Sequence, residues 1–186
     1  MENKNVLLLV TGSISAYKAA SIASGLQKNY CYVKVGMTEA ATKIIGPAAM
    51  AGITHQEVAL DANWFTQSEK VPHINLAKWA DIVFVCPATS NTIAKLAHGI
   101  SDNVVTATVL AASGMGKRIV IAPAMNCNMY ESKANQKNME ICKEYGYEFI
   151  DPKEGLLACG DEGIGHLKGT REIIGELLAP YKKDGE

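Results

Sequence analysis

The sequence has no Cys-x-x-Cys pair, and its cysteines are odd in number: five, at positions 31, 86, 127, 142 and 159. A disulfide framework needs paired cysteines and a structural zinc site needs closely spaced ones, so neither is expected, nor any other metal site. Neither sign of charge is in excess, since 18 basic residues face 19 acidic ones for a net −1. Such a balance gives no field to gather nucleic acid or an anionic membrane, and neither is expected as a partner. Long hydrophobic runs are missing too, and nothing approaches the ~20 apolar residues that span a bilayer. The opening Met1-Glu2-Asn3-Lys4-Asn5 lacks the build of a signal peptide, so a cytoplasmic protein is expected.

What is present is a chain of 186 residues, 48% of them hydrophobic. That length suits one domain spanning 1–186, with enough chain to bury about 70% of its unfolded surface. A nearly continuous apolar run at 5–10 predicts a strand buried on both faces, ended by Thr11-Gly12-Ser13. Helical spacing follows over 14–28, a second strand over 30–37, and a short helix over 38–42 with Thr38 as its N-cap. Residues 46–72 are expected to be irregular, with one short strand near 57–60. Order returns with a helix at 74–80, a strand at 81–86 closed by Pro87, and helices at 91–98 and 104–112. A strand at 118–122 is cut off by Pro123. A helix at 132–145 stops at Gly146, a short strand lies at 149–150, and an amphipathic helix covers 169–178. Alternating strands and helices imply an α/β fold with a mostly parallel central sheet between helix layers. Ligands of such folds bind at the carboxyl ends of the strands, which directs attention to the loops after each one.

Three of those loops are rich in small polar residues. Thr11-Gly12-Ser13-Ile14-Ser15 is neither G-x-G-x-x-G nor a Walker loop; it suits either a capped helix start or a phosphate site. Pro87-Ala88-Thr89-Ser90-Asn91-Thr92 suits either an N-cap cluster or a densely hydrogen-bonded ligand. Pro123-Ala124-Met125-Asn126-Cys127-Asn128-Met129 offers an asparagine that closes a turn or meets a carboxylate. His73, unlike His55 and His98, sits where an irregular segment enters a helix leading to a central strand; a lone histidine there is structural as readily as functional. The glycine-rich segment 158–165 has the composition of a lid, and Cys159 lies on it.

The opening 11–16 segment, His73-Ile74, and the segments 87–92, 123–129 and 158–165 together resemble the flavin-dependent cysteine decarboxylases, from Val6 to about Leu178. Within that family the likeness is to the branch that turns 4'-phosphopantothenoyl-cysteine into 4'-phosphopantetheine during coenzyme A synthesis. The resemblance implies a Rossmann-like (flavodoxin-like) three-layer sandwich, FMN as cofactor, and a homotrimer or dodecamer of trimers with flavin sites between subunits. It implies that His73 is the active-site histidine and that Cys159 is the proton donor on a flap over the substrate. Asn126 would bind the substrate carboxylate beside Met125, and Lys18 matches a family lysine associated with the substrate. FMN would be held by Gly12, Ser13, Ile14, Thr38, Thr89, Ser90, Asn91, Thr92 and Ala124. The sequence departs from the family at Tyr130, where tryptophan is usual, and at Gly165-His166-Leu167, where Gly-Arg-Met or Gly-Ala-Met is usual. Many bacterial members carry a fused ligase; this chain has no room for one and is expected to stand alone.

Rival readings are a peptidyl-cysteine decarboxylase, a flavin prenyltransferase, and a non-catalytic flavoprotein that regulates a phosphatase. The prenyltransferase should carry a basic phosphate-grasping set and lacks the Pro-Ala-Met-Asn pattern. The regulators usually add a long acidic tail, which Lys182-Lys183-Asp184-Gly185-Glu186 is not. The chemistry itself explains the implied parts. Loss of carbon dioxide from an acylated cysteine would leave an unstabilised carbanion. Oxidation of the thiol to a thioaldehyde creates a sink, the hydride passing to an oxidised flavin and returning to the enethiol at the end. His73 would assist the oxidative stage as base or electrostatic partner, and Cys159 would supply the last proton.

Overall fold

Val6 to Val10 are wholly buried in β1 (Asn5–Val10) of a computed structural model that describes residues 3–64, 71–156, 160 and 162–181. A 3-10 turn (Ile14–Lys18) then runs into α1 (Ala19–Lys28), so the predicted helix begins with a tighter first turn. Tyr30 takes a left-handed conformation (φ 60°) and turns the chain, which moves the start of β2 (Tyr32–Met37) two residues along. Thr38 caps α2 (Glu39–Thr42), accepting the Ala41 N–H at 3.3 Å.

The stretch expected to be irregular contains α3 (Pro47–Thr54) and β3 (Ala59–Leu60), followed by a 3-10 turn at Asp61–Asn63. Pro47 takes the first helical position, where its missing N–H costs nothing. α4 (Pro72–Trp79) likewise starts on a proline and places His73 in its first turn. β4 (Ile82–Ala88) does not end at Pro87, and β5 (Arg118–Pro123) does not end before Pro123. A proline removes a donor but keeps its carbonyl: Pro87 O accepts the Thr11 N–H at 3.3 Å and the Thr11 hydroxyl at 2.7 Å. Between the two strands lie α5 (Ser90–Ala97) and α6 (Val104–Gly114).

The predicted helix at 132–145 is preceded by a short one, α7 (Cys127–Glu131), and Ser132 caps its continuation, α8 (Lys133–Glu144). β6 (Glu148–Phe149) completes the main sheet. The glycine-rich segment is not a plain loop. β7 (Lys153–Leu156) and β8 (Glu162–His166) pair antiparallel, and α9 (Thr170–Leu178) follows. Cys159 lies outside the described residues.

The main sheet has the order β3-β2-β1-β4-β5-β6, with every pairing parallel. This is the Rossmann order, and the direction of winding switches between β1 and β4. Alternate residues of β1 feed the two cores. Val6, Leu8 and Val10 pack with Ile22 and Leu26 of α1, Met50 of α3 and Ile173 and Leu177 of α9. Leu7 and Leu9 pack with Ala77 of α4, Ile93 of α5, Val105 and Val109 of α6 and Met139 of α8. The result is a three-layer sandwich. Among the described residues no helix is long and apolar enough to cross a membrane.

Candidate active site

A cleft of about 470 Å³ opens at the carboxyl ends of β1, β4 and β5, beside the switch in winding. That volume lies within the ~300–1,000 Å³ typical of small-molecule sites. Its walls include Gly12, Ser13, Ile14, Thr89, Ser90, Asn91, Ala124, Met125 and Asn126, so nine of the residues singled out in the sequence meet there. A second cleft of about 470 Å³ shares Gly12, Thr89 and Asn91 and adds Thr38 and Thr92, together with Lys43 and Lys95.

The two loops at the switch are tied together. Thr11, buried, donates its hydroxyl to Pro87 O and accepts the Thr89 N–H at 3.0 Å. Thr89 then caps α5, its oxygen accepting the Thr92 N–H at 3.2 Å and lying 3.1 Å from the Thr92 hydroxyl. The N-cap reading therefore holds for Thr89. Ser90 and Asn91, one and two residues further, line the cleft with side chains that hydrogen-bond to nothing among the described residues. Ser13 resembles Thr89, accepting the Ser15 N–H at 3.3 Å to cap the 3-10 turn.

Asn126 caps α7, its oxygen accepting the Asn128 N–H at 2.9 Å. Its amide NH₂ is a donor, and a donor is what a carboxylate requires. The β7–β8 hairpin closes this side. Met125 donates its N–H to Gly165 O at 3.2 Å, and a side chain at Gly165 (φ 143°) would strike the Met125 carbonyl.

Lys18 sits at the rim. Its ammonium donates to Leu167 O at 3.1 Å and lies 3.3 Å from His166 Nε2, and His166 lines the cleft. Burial, with Lys153 adding repulsion, holds the Lys18 ammonium below the usual lysine range. His166 is a site residue that sequence reasoning passed over; the signal was its place in the segment that departs from the family pattern.

His73 lines neither cleft. It accepts the Trp64 indole N–H at Nδ1, 2.8 Å away, and burial lowers its pKa from the ordinary value. No motif in the sequence singles out Trp64. Among the other cysteines, Cys31 and Cys86 are buried and burial pushes both thiols up, while Cys142 is pushed up to about 12. Cys127 is half-buried against Gly163.

The donor set tests the implied cofactor. The Ser90 hydroxyl and Asn91 amide, partnerless among the described residues, two capped helix starts and an apolar lining of Ile14, Ala124 and Met125 fit a flat, largely neutral ring system carrying a phosphate. The residues present therefore fit FMN.

Comparison with known proteins bears on the same site. A family profile described as Flavoprotein matches residues 1–180. A probable phosphopantothenoylcysteine decarboxylase of Streptococcus mutans is 41% identical over 174 residues, covering 94% of this chain and 97% of that one. The bifunctional coenzyme A biosynthesis protein CoaBC of Bacillus subtilis is also 41% identical over 94% of this chain, which spans only 42% of its length. Among solved structures, a mutant PPC decarboxylase complexed with pantothenoylaminoethenethiol superposes with a TM-score of 0.87 at 26% identity, covering 98% of this chain and all of the other. The FMN-dependent cysteine decarboxylase SpaF superposes with a TM-score of 0.80 at 32% identity, covering 95% and 96% of the two chains.

Proposed function

This chain belongs to the flavoprotein family, and from that premise we propose that it is an FMN-dependent decarboxylase converting 4'-phosphopantothenoyl-cysteine to 4'-phosphopantetheine in coenzyme A biosynthesis. The observation that carries the reading is the cleft at the β1, β4 and β5 ends, where Ser90 and Asn91 stand without partners among the described residues, beside Met125 and Asn126. In this reading Gly12, Ser13, Ile14, Thr38, Thr89, Ser90, Asn91, Thr92 and Ala124 hold FMN. When bound, FMN supplies a place for hydride to go and to return from, which creates the thiocarbonyl sink that decarboxylation needs.

Asn126 orients the substrate carboxylate with a neutral donor. An arginine would favour the ground-state anion and oppose its loss. Met125 packs beside it, and Lys18 at the rim attracts the anionic substrate. His73 acts in the oxidative stage. Cys159 delivers the final proton, so Cys159→Ser should release carbon dioxide and stop at the enethiol. The aminoethenethiol bound to a mutant PPC decarboxylase is a species of that kind.

A cytoplasmic homotrimer, alone or as a dodecamer of trimers, is part of the proposal. Among the described residues His73 lines neither of the two clefts described above, and a site between copies would bring it to one. The single domain of 1–186 then suffices for the decarboxylation. The test is a choice of substrates. FMN-loaded protein should release carbon dioxide from 4'-phosphopantothenoyl-cysteine at least ~100-fold faster than from a peptide ending in cysteine, as the ~2.7 kcal/mol of differential transition-state binding would give. A preference for the peptide would favour the peptidyl-cysteine reading instead.

A further inference from the structure

We propose that Trp64 is a positioning residue that fixes His73 as a hydrogen-bond donor, not a base. The indole nitrogen can only donate, and it points at His73 Nδ1 over 2.8 Å, with the rings edge to face at 5.5 Å and 86°. Nδ1 must then carry a lone pair, and the single proton of the neutral imidazole sits on Nε2. Protonating Nδ1 would set two N–H groups against each other. Burial of the ring works in the same direction, favouring the neutral form.

Among the described residues the charged surroundings leave this arrangement intact. α6, which packs on α4, carries no ionisable side chain. The Asp61 carboxylate is engaged by the backbone N–H groups of Val104 and Glu39, at 2.7 and 3.2 Å. Lys34 and Glu57 border a separate hollow with Pro72 and Asn75, and Lys78 lies at the far end of α4.

A ring with Nδ1 engaged and Nε2 protonated cannot take a proton from a substrate. It can hold an anion or a soft acceptor through Nε2–H. Resting on the function proposed above, the inference is that the substrate thiol loses its proton to water and meets His73 as thiolate. The Nε2–H group then stabilises the sulfur anion without accepting its proton.

The test uses the full-length protein labelled with ¹⁵N-histidine and followed by long-range ¹H–¹⁵N NMR, with His73→Asn identifying the His73 signals. The wild type should show an unprotonated Nδ1 and protonated Nε2 at pH 7, and the ring should stay neutral at a pH where free imidazole side chains are half charged. Trp64→Phe, which keeps an aromatic ring but removes the donor, should populate both tautomers and raise the His73 pKa. Its kcat should fall by up to ~10-fold, the loss of one neutral hydrogen bond, with KM changed less than kcat. A protonated Nδ1 or a cationic ring in the wild type at pH 7 overturns the proposal, whether or not Trp64→Phe folds. The tautomer is read without turnover. An Nε2–H ring in a protein that fails to decarboxylate would therefore refute the proposed function alone.

Discussion

In the cleft each polar group is held by the end of a buried strand or the start of a helix, and neighbouring loops brace each other through Thr11, Pro87 and Thr89. His73 is held differently. It stands in the first turn of α4, and its imidazole is oriented by one hydrogen bond from Trp64 on the segment before. The cleft is redundant, and removing one side chain there subtracts one contact. The His73 corner is not, so a change there alters what the imidazole can do while leaving the sheet untouched. The cleft's polar groups are thus built into the scaffold, whereas among the described residues the His73 imidazole is set by one side-chain hydrogen bond, from Trp64.

The largest expected effect comes from the corner. His73→Asn keeps an acceptor facing Trp64 but removes the group at Nε2, and should lower kcat/KM by about 100-fold or more. His73→Gln, which can restore a donor at that place, should recover part of the loss; a base could not be replaced in this way. Melting temperature should move by less than ~4 °C in either variant, the shift that ~1 kcal/mol gives in a chain of this size. A large thermal shift would collapse the distinction between corner and cleft.

Gly165→Ala strikes the cleft's own frame. It combines a left-handed backbone with a clash against the Met125 carbonyl, and should cost roughly 2–4 kcal/mol of stability in a denaturant titration. Asn126→Ala comes next. Loss of a hydrogen bond to a charged group should raise KM about 10- to 100-fold, and loss of the α7 cap should cost about 1 kcal/mol of stability. Equal falls in kcat and kcat/KM with no change in KM would contradict the binding role.

The smallest effect is expected at the rim. Because burial lowers the Lys18 pKa, its charge is lost sooner as the pH rises than in an exposed lysine. KM for an anionic substrate should therefore rise at high pH, before the ordinary lysine range is reached. Lys18→Arg, which keeps its charge throughout, should flatten that rise; an unchanged profile would remove Lys18 from substrate binding.

Much of this was legible in the sequence for a physical reason. Strands buried on both faces cannot avoid being apolar runs, so β1, β4 and β5 announce themselves. The small polar clusters after them mark where backbone amides need partners. Three features were hidden. α3 is a run of small apolar residues with no helical period, entered through Gly46-Pro47. The β7–β8 hairpin has few apolar residues to alternate, and its glycines suggested a lid but no strands; Gly163 and Gly165 let it lie close against Cys127 and Met125. The prolines at 87 and 123 look like stops, yet the Pro87 carbonyl still accepts from Thr11 and Pro123 still pairs with Ala88 across the sheet. Contacts such as Lys18 with His166, 148 residues apart, leave no local pattern at all. Trp64 was invisible for the opposite reason, since a tryptophan nine residues before a histidine looks like ordinary packing.

The central claim is tested most directly by anaerobic incubation of the FMN-loaded protein with 4'-phosphopantothenoyl-cysteine, followed by mass spectrometry. The account predicts one product, 4'-phosphopantetheine, formed by loss of carbon dioxide with no net oxidation. Unchanged substrate would contradict the decarboxylase reading, and accumulation of the enethiol by the wild-type protein would contradict the final protonation and hydride return.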